Sequence, residues 1–305
     1  MDKIPVGQTI ARAYGFAFRD FFKILSVMWL PLLVLSVFTF SLQSQFAVLT
    51  GAMQVKDVDA LGPSAWIVLL PAFVIVSMLF FMQIVGITQQ ALGLRKGSPY
   101  YYFSLKQPLW NLIKSYLLVL LMMIACAVLF AIGSAVVAGI STTLNNATAG
   151  GNGTTSALII IMTVIFSLFA YGAFIYVFIR QTFLLPAVVV AEEEVGFGRA
   201  WSLGKGNFWR MFTIFLSIFV PLVAVEMAVF FGIVLRGMPP DALQGGTPEK
   251  VAAWDAAFIE HMTGEWYIIL PPILIISVIF YGLVLGAQSF AYRSLVPAEK
   301  VEDVF

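Results

Sequence analysis

The stretch "ARAYGFAFRDFFKI" (residues 11–24) decides the fold, because it is amphipathic and leads directly into a long apolar run. Arg12, Arg19 and Lys23 alternate with apolar residues along it. The apolar residues that recur at helical spacing are Ile10, Tyr14, Ala17, Phe18 and Phe21. A basic amphipathic helix of this kind lies along a membrane surface, with its cations near the lipid phosphates. The stretch therefore predicts a surface helix followed by a helix that crosses the membrane.

The composition of the whole chain agrees with a membrane location. Of its 305 residues, 61% are hydrophobic and 11% are charged, and the mean hydropathy is +0.96. Soluble domains average about 45–50% apolar and about 25% charged residues. We therefore expect an all-α integral membrane protein that forms one membrane domain over residues 1–305. The net charge of +1 lacks the basic excess typical of nucleic-acid binding, so nucleic acid is not an expected partner.

Six apolar runs are long enough to cross a bilayer, which takes about 20 residues. They cover residues 24–43, 65–87, 115–140, 157–179, 211–235 and 266–290. Of the 17 lysine and arginine residues, only Lys56, Arg236 and Lys250 fall on one side of these spans. The positive-inside rule therefore places both termini in the cytoplasm. The first run begins after about 23 residues and is full length, so we expect a retained span and not a signal peptide.

A second copy of the opening stretch precedes the fifth span. It reads "GRAWSLGKGNFWRM" (residues 198–211) and matches the first copy position by position. Arg199 stands at the place of Arg12, and Arg210 stands at the place of Lys23. The run of matches favours an internal duplication over chance.

A third and more diverged copy precedes the third span. It reads "SPYYYFSLKQPLWNLIK" (residues 98–114) and is interrupted by Pro108. For this copy alone, the general preference for aromatic residues and bases at a membrane boundary is the simpler explanation. The first and last copies nevertheless predict a threefold repeat of a surface helix plus a membrane hairpin. The predicted units cover residues 1–90, 91–182 and 183–293, and a short cytoplasmic tail covers 294–305.

Each copy ends with a polar residue and a base directly before its span. Asp20, Asn111 and Asn207 are expected to cap the free N–H groups at the starts of the spans, and the bases can extend to the lipid headgroups. The expected headgroup contacts are Arg12, Arg19, Lys23, Lys114, Arg199, Lys205 and Arg210. Membrane lipids are therefore the expected partners, and a homo-oligomer or another inner-membrane protein is left open as a further partner.

A family signature lies around the copy at residues 198–211. Pro186 follows the fourth span, glutamates occupy positions 192–194, and the run "AWSLGKGNFWR" follows them. Together these features make the segment "RQTFLLPAVVVAEEEVGFGRAWSLGKGNFWRMF" (residues 180–212) similar to the YciC-like family, which is related to the membrane domain of glycerophosphoryl diester phosphodiesterases. The resemblance implies a six-span protein of the bacterial inner membrane. In the fused phosphodiesterases a separate soluble barrel carries the chemistry, so the resemblance implies no catalytic residue here.

The chain carries no recognisable catalytic or metal-binding motif. It has no phosphate-binding loop, no dinucleotide fingerprint and no HExxH helix. Cys126 and His261 are its only cysteine and histidine, which argues against a zinc site. The glutamates at 192–194 are expected to favour the positive start of the helix after them, and binding of a cation or a partner is the alternative. We therefore expect no enzyme activity, no metal and no cofactor.

One acid, Glu226, lies inside the fifth span, in "VPLVAVEMAVFF" (residues 220–231). An acid at membrane depth is a functional hypothesis by default. Glu226 would lie roughly 22 Å beyond Met211 along the helix, in the outer third of the span. Its neighbours at three and four residues are apolar, so a structural acid near the outer boundary is favoured over a functional one.

These observations favour a non-catalytic inner-membrane protein that interacts with lipid or supports the envelope. The alternative is a transporter or channel for a small solute or lipid, with Glu226 in its pathway. The internal repeats and the prolines within the spans also contribute to this alternative.

Ridges of small residues predict where the spans approach one another closely. One ridge lies on the third span and the other on the fifth. They consist of Ala127, Ala131, Ala135 and Gly139, and of Ala224, Ala228 and Gly232.

Overall fold

The structure is a computed structural model that describes residues 3–41, 63–95, 100, 102–147, 153–229, 231–232, 264 and 266–296. These residues form helices and connections and contain no strand. The helices are α1 (Val6–Arg19), α2 (Phe21–Ser41), α3 (Pro63–Leu92), α4 (Gln107–Ala147), α5 (Gly153–Thr182), α6 (Leu185–Glu192), α7 (Phe197–Leu203), α8 (Phe208–Val229) and α9 (Trp266–Leu295). The all-α prediction is therefore confirmed for the described part of the chain.

Within the described residues, five helical stretches are long and apolar enough to cross a membrane. They are Phe73–Leu92, Gln107–Ile140, Ile161–Glu192, Phe208–Val229 and Pro271–Leu295. Their lengths and compositions indicate a membrane-embedded, multi-pass chain. The first predicted span falls on α2, whose apolar stretch Phe21–Val34 is shorter, so a sixth crossing stays a prediction.

One side of α1 packs against α9 at two glycines. The buried side chains of α1 are Thr9, Ala13, Phe16 and Ala17. A Cβ added at Gly282 would lie 3.2 Å from the Cα of Ala17, and one at Gly286 would lie 2.9 Å from Phe16 Cδ1. Phe18, predicted on the same apolar side, is instead 59% exposed, because the fit to these glycines determines which side of α1 is buried.

The centre of the bundle consists of α3, α6 and α9, which contact one another. Every side chain from 185 to 191 in α6 is buried. A helix that is apolar all round is surrounded either by other helices or by lipid, and the burial of α6 shows that other helices surround it. Pro186 lies in the first turn of α6, where its missing N–H costs no helical hydrogen bond.

The longer helices surround this centre in a regular pattern of contacts. α2 contacts α3 and α9, α4 contacts α5 and α3, and α8 contacts α9 and α5. α1 lies against α8 and α9, and α7 lies against α4, α5 and α6. The first helix of each predicted hairpin therefore contacts its own partner and the second helix of another hairpin.

The two predicted ridges of small residues are exposed, so that prediction is wrong for the described residues. The exposed residues are Ala127, Ala131, Ala135, Gly139, Ala224, Ala228 and Gly232. α4 contacts α5 through a different side, where Phe130 stacks on Phe166 with ring centroids 5.8 Å apart. A Cβ added at Gly133 would lie 2.5 Å from Phe166 Cζ. Small-residue spacing marks a side that a helix can approach, but it does not select the helix that does so.

Candidate functional site

The segment before α4 differs from the two other copies of the repeat. Residues 102–106 are not helical, and α4 begins at Gln107, one residue before Pro108. A helix that extended further toward the N-terminus would place the proline ring against the carbonyl of Ser104. The prediction of a surface helix in this copy is therefore wrong for the described residues. Asn111, predicted as a cap, lies inside α4.

Asn111 and Asn207 bind backbone groups of distant segments. Asn111 Nδ2 donates to the carbonyl of Glu193 at 2.5 Å. The N–H of Ile4 donates to Asn207 Oδ1 at 3.2 Å, and Arg210 Nη1 donates to the carbonyl of Ile4 at 2.7 Å. These bonds fix the connection between α6 and α7 onto α4, and the start of the chain onto α8.

The start of α2 holds the connection after α3 in a comparable way. Arg95 Nη1 donates to the carbonyl of Lys23 at 3.2 Å and to Ser26 Oγ at 3.1 Å. Asp20, the third predicted cap, forms an ion pair with Lys23 at 2.6 Å. Burial lowers the pKa of the Arg95 guanidinium and raises the pKa of the Tyr102 hydroxyl. Burial is the larger influence on both groups, so the bundle partly encloses these two side chains.

A pocket of about 390 Å³ lies between α1, the end of α3 and the end of α9. Three arginines line it, Arg12 and Arg19 from α1 and Arg293 from α9, together with Asp20 and Gln90. Arg12 and Arg19 are predicted lipid contacts. Arg293 is not among these predicted contacts, and it contributes only to the count of basic residues that orients the chain. The position of Arg293 in the last turn of the last span is the signal that could have identified it.

The described residues do not balance the positive charge in this pocket. Asp20 is already paired with a lysine. Arg12 and Arg19 form no hydrogen bond or ion pair with any residue that the structure describes. Arg293 donates a hydrogen bond to the carbonyl of Leu92, and its positive charge and that of Arg12 oppose each other. The surplus of positive charge suits an anion.

Arg199, which matches Arg12 in the repeat, has a partner within the protein. Its Nε donates to Glu192 Oε1 at 3.2 Å, and the hydroxyl of Tyr292 donates to the same oxygen at 3.1 Å. Glu192 ends α6, and the first turn of α7 contains no acidic residue. The expectation that the glutamates support the start of the following helix is therefore wrong for Glu192, because packing brings this acid to an arginine and to α9.

The other predicted headgroup contacts fall into two groups. Lys23 is held by an ion pair, and Arg210 is held by a backbone carbonyl. Lys114 and Lys205 are exposed and therefore accessible to headgroups at the surface of the bundle.

Glu226 is exposed in the last turn of α8. No described residue donates a hydrogen bond to it or forms an ion pair with it, and the arginine pocket is lined by other residues.

Arg180, at the end of α5, contacts aromatic residues. Its guanidinium lies 4.0 Å from the centre of the Trp201 ring, and its Nη1 donates to the hydroxyl of Tyr176 at 2.8 Å.

The described residues contain no group of three or more potential metal ligands, and His261 lies outside them. Comparison of the chain with protein-family models, curated proteins and solved structures found no match. The resemblance to the YciC-like family therefore stays a prediction. The features that bear on function are the arginine pocket and the exposed basic and aromatic residues near the starts of α2, α4 and α8.

Proposed function

We propose that this is a non-catalytic protein of the bacterial inner membrane that binds anionic lipid at its cytoplasmic end, with six spans and both termini in the cytoplasm. One observation carries the proposal. At each of the three places where a predicted hairpin begins, an exposed aromatic residue lies within four residues of an exposed base. The pairs are Phe22 with Arg19, Trp110 with Lys114, and Trp209 with Lys205.

An aromatic ring near a cation suits the boundary of a membrane. Aromatic rings settle at the level of the headgroups, and cations there attract the phosphates of anionic lipids. Phe22 is 80% exposed and Trp209 is 73% exposed. Exposure of such large apolar surfaces to water is unfavourable, and contact with lipid removes that cost. A lipid surface therefore accounts for both members of each pair.

The contacts between helices support three repeated units around the centre formed by α3, α6 and α9. α1 lies on the hairpin of the third unit, and α7 lies on the hairpin of the second. The copy at residues 98–114 contacts the hairpin of the first unit, where Trp29 Nε1 donates to the carbonyl of Tyr100 at 2.7 Å. Each unit would thus rest on the preceding one in a closed ring, and the aromatic and basic pairs would form a belt around the bundle.

The alternative, a transporter or channel with Glu226 in its pathway, has less support. Glu226 is exposed on α8, which lies outside the central group of α3, α6 and α9. Solute flux in proteoliposomes that Glu226→Gln abolishes would favour this alternative.

We expect Lys114→Gln combined with Lys205→Gln to lower the preference for anionic lipid about twofold, because each cation near the headgroups attracts the lipid charge. The measurement is the association of spin-labelled phosphatidylglycerol, relative to spin-labelled phosphatidylcholine, with the protein in phosphatidylcholine vesicles at low salt. Lys114→Arg combined with Lys205→Arg is the matched control and should keep the preference. A glutamine variant that retains the wild-type preference would contradict the proposal.

A further inference from the structure

We infer that the pocket between α1, α3 and α9 binds a phosphate group through Arg12, Arg19 and Arg293. The inference deepens the proposed function, and it rests on that function where the phosphate belongs to a lipid headgroup. The same chemistry would also accept a free phosphate. The experiment therefore has to separate these two sources.

The volume and the donors of the pocket suit a phosphate. Its volume of about 390 Å³ lies within the roughly 300–1,000 Å³ of typical ligand pockets. Each guanidinium carries five N–H donors in a planar fork that matches phosphate oxygens. Arg293 donates from Nη2 to the carbonyl of Leu92, which fixes its position and leaves its remaining donors for a ligand.

The contrast between two matching arginines points to an external anion. Arg199 meets Glu192 at 3.2 Å. Arg12 occupies the matching position in the first unit, but its charged neighbour is Arg293, whose positive charge repels it. Asp20, the acid in the described lining, is already paired with a lysine at 2.6 Å. A bound phosphate would supply the negative charge that Glu192 supplies to Arg199.

Two glycines, Gly15 and Gly93, keep the pocket open because they have no side chain. Gly15 lines it, and nothing lies within 4 Å of a Cβ added there. Gly93, also in the lining, follows α3 with a φ of +70°, a conformation that favours glycine. Gln90 also lines the pocket and accepts a hydrogen bond from Arg95 through Oε1 at 3.4 Å, which leaves its NH2 group as a further donor for phosphate.

The pocket can be filled without a change of charge. Gly15→Leu would place a side chain in the open space, and leucine is a better helix former than glycine. Gly7→Leu is the matched control, because Gly7 lies in the same helix, has open space beside it and is outside the pocket lining. Arg12→Gln tests the charge in a second way, and Lys106→Gln, at an exposed position outside the lining, is its control.

The test titrates each protein, purified in a neutral detergent, with short-chain phosphatidylglycerol, short-chain phosphatidylcholine or inorganic phosphate. Binding is measured as the rise in the thermal unfolding midpoint. We expect wild type and both controls to respond to an anionic probe, and Gly15→Leu and Arg12→Gln to need about tenfold more of it. A response to phosphatidylglycerol alone assigns the pocket to a lipid headgroup, and a response to inorganic phosphate as well assigns it to a free phosphate. No response in wild type, or equal responses of Gly15→Leu and Gly7→Leu, would overturn the inference.

The pocket and the proposed function can fail separately. If the vesicle measurement shows a preference for phosphatidylglycerol while Gly15→Leu titrates like Gly7→Leu, the pocket inference fails and the proposed function stands. If vesicles show no preference but Gly15→Leu weakens the response to inorganic phosphate, the pocket stands and the lipid function fails.

Discussion

Replacement of Gly282 by leucine is expected to destabilise the fold by about 3 kcal/mol or more, because it overpacks the contact between α1 and α9. The Cβ alone would lie 3.2 Å from the Cα of Ala17 in α1, and it would also lie 2.8 Å from Cδ1 of Ile24 in α2. Ala17 is fully buried, so its backbone cannot yield unless α1 moves away from α9. The free energy of unfolding, measured from helix content during titration of mixed micelles with SDS, checks this expectation.

Gly172→Leu is the matched control for Gly282→Leu. Gly172 also lies in a long apolar helix, α5, but nothing lies within 4 Å of a Cβ added there. We expect a change of less than about 0.5 kcal/mol for this variant. Equal losses in the two variants would contradict the close seating of α1 on α9, and with it the geometry of the arginine pocket.

Replacement of Asn207 by leucine is expected to cost about 2 kcal/mol, because a buried N–H loses its acceptor. Asn207 is 2% exposed, and its Oδ1 accepts the N–H of Ile4, which is fully buried. Leucine has a similar volume but no acceptor. Arg210 would still bind the carbonyl of Ile4 at 2.7 Å, which limits the loss.

Gln8→Leu is the control for Asn207→Leu, since it also exchanges an amide for an apolar side chain but at an exposed position of α1. The same SDS titration should show little change for it. Hydrogen exchange at the amide of Ile4 should accelerate only in Asn207→Leu. If both variants unfold at the same SDS fraction, the link between the start of the chain and α8 contributes nothing to stability.

The spans were predictable, because an apolar run of about 20 residues forms few structures other than a membrane helix. The predicted span 115–140 lies within Gln107–Ile140, and the predicted span 211–235 overlaps Phe208–Val229. The predicted first residues of these spans were less accurate. The residues that lead into α4 are partly apolar as well, and Pro108 rather than the cap-like Asn111 determines where this helix begins.

The central helix and the pocket were not predictable in the same way. α6 is eight residues long and apolar all round, so it has no periodicity that would distinguish it from the preceding span. Arg293 meets Arg12 only because α1 packs on α9. Arg12 and Arg199 have similar neighbours in sequence, yet within the described structure only Arg199 meets an acid. That difference arises from the packing of α6 and not from the local sequence.

The most direct test of anionic-lipid binding is the association of spin-labelled phosphatidylglycerol with the wild-type protein, relative to labelled phosphatidylcholine, in phosphatidylcholine vesicles. Binding through exposed cations and the arginine pocket predicts a preference on the order of fivefold at low ionic strength. The preference should fall as salt approaches about 1 M, where the Debye length is only about 3 Å. Equal association of the two lipids at low salt would contradict lipid recognition by this protein.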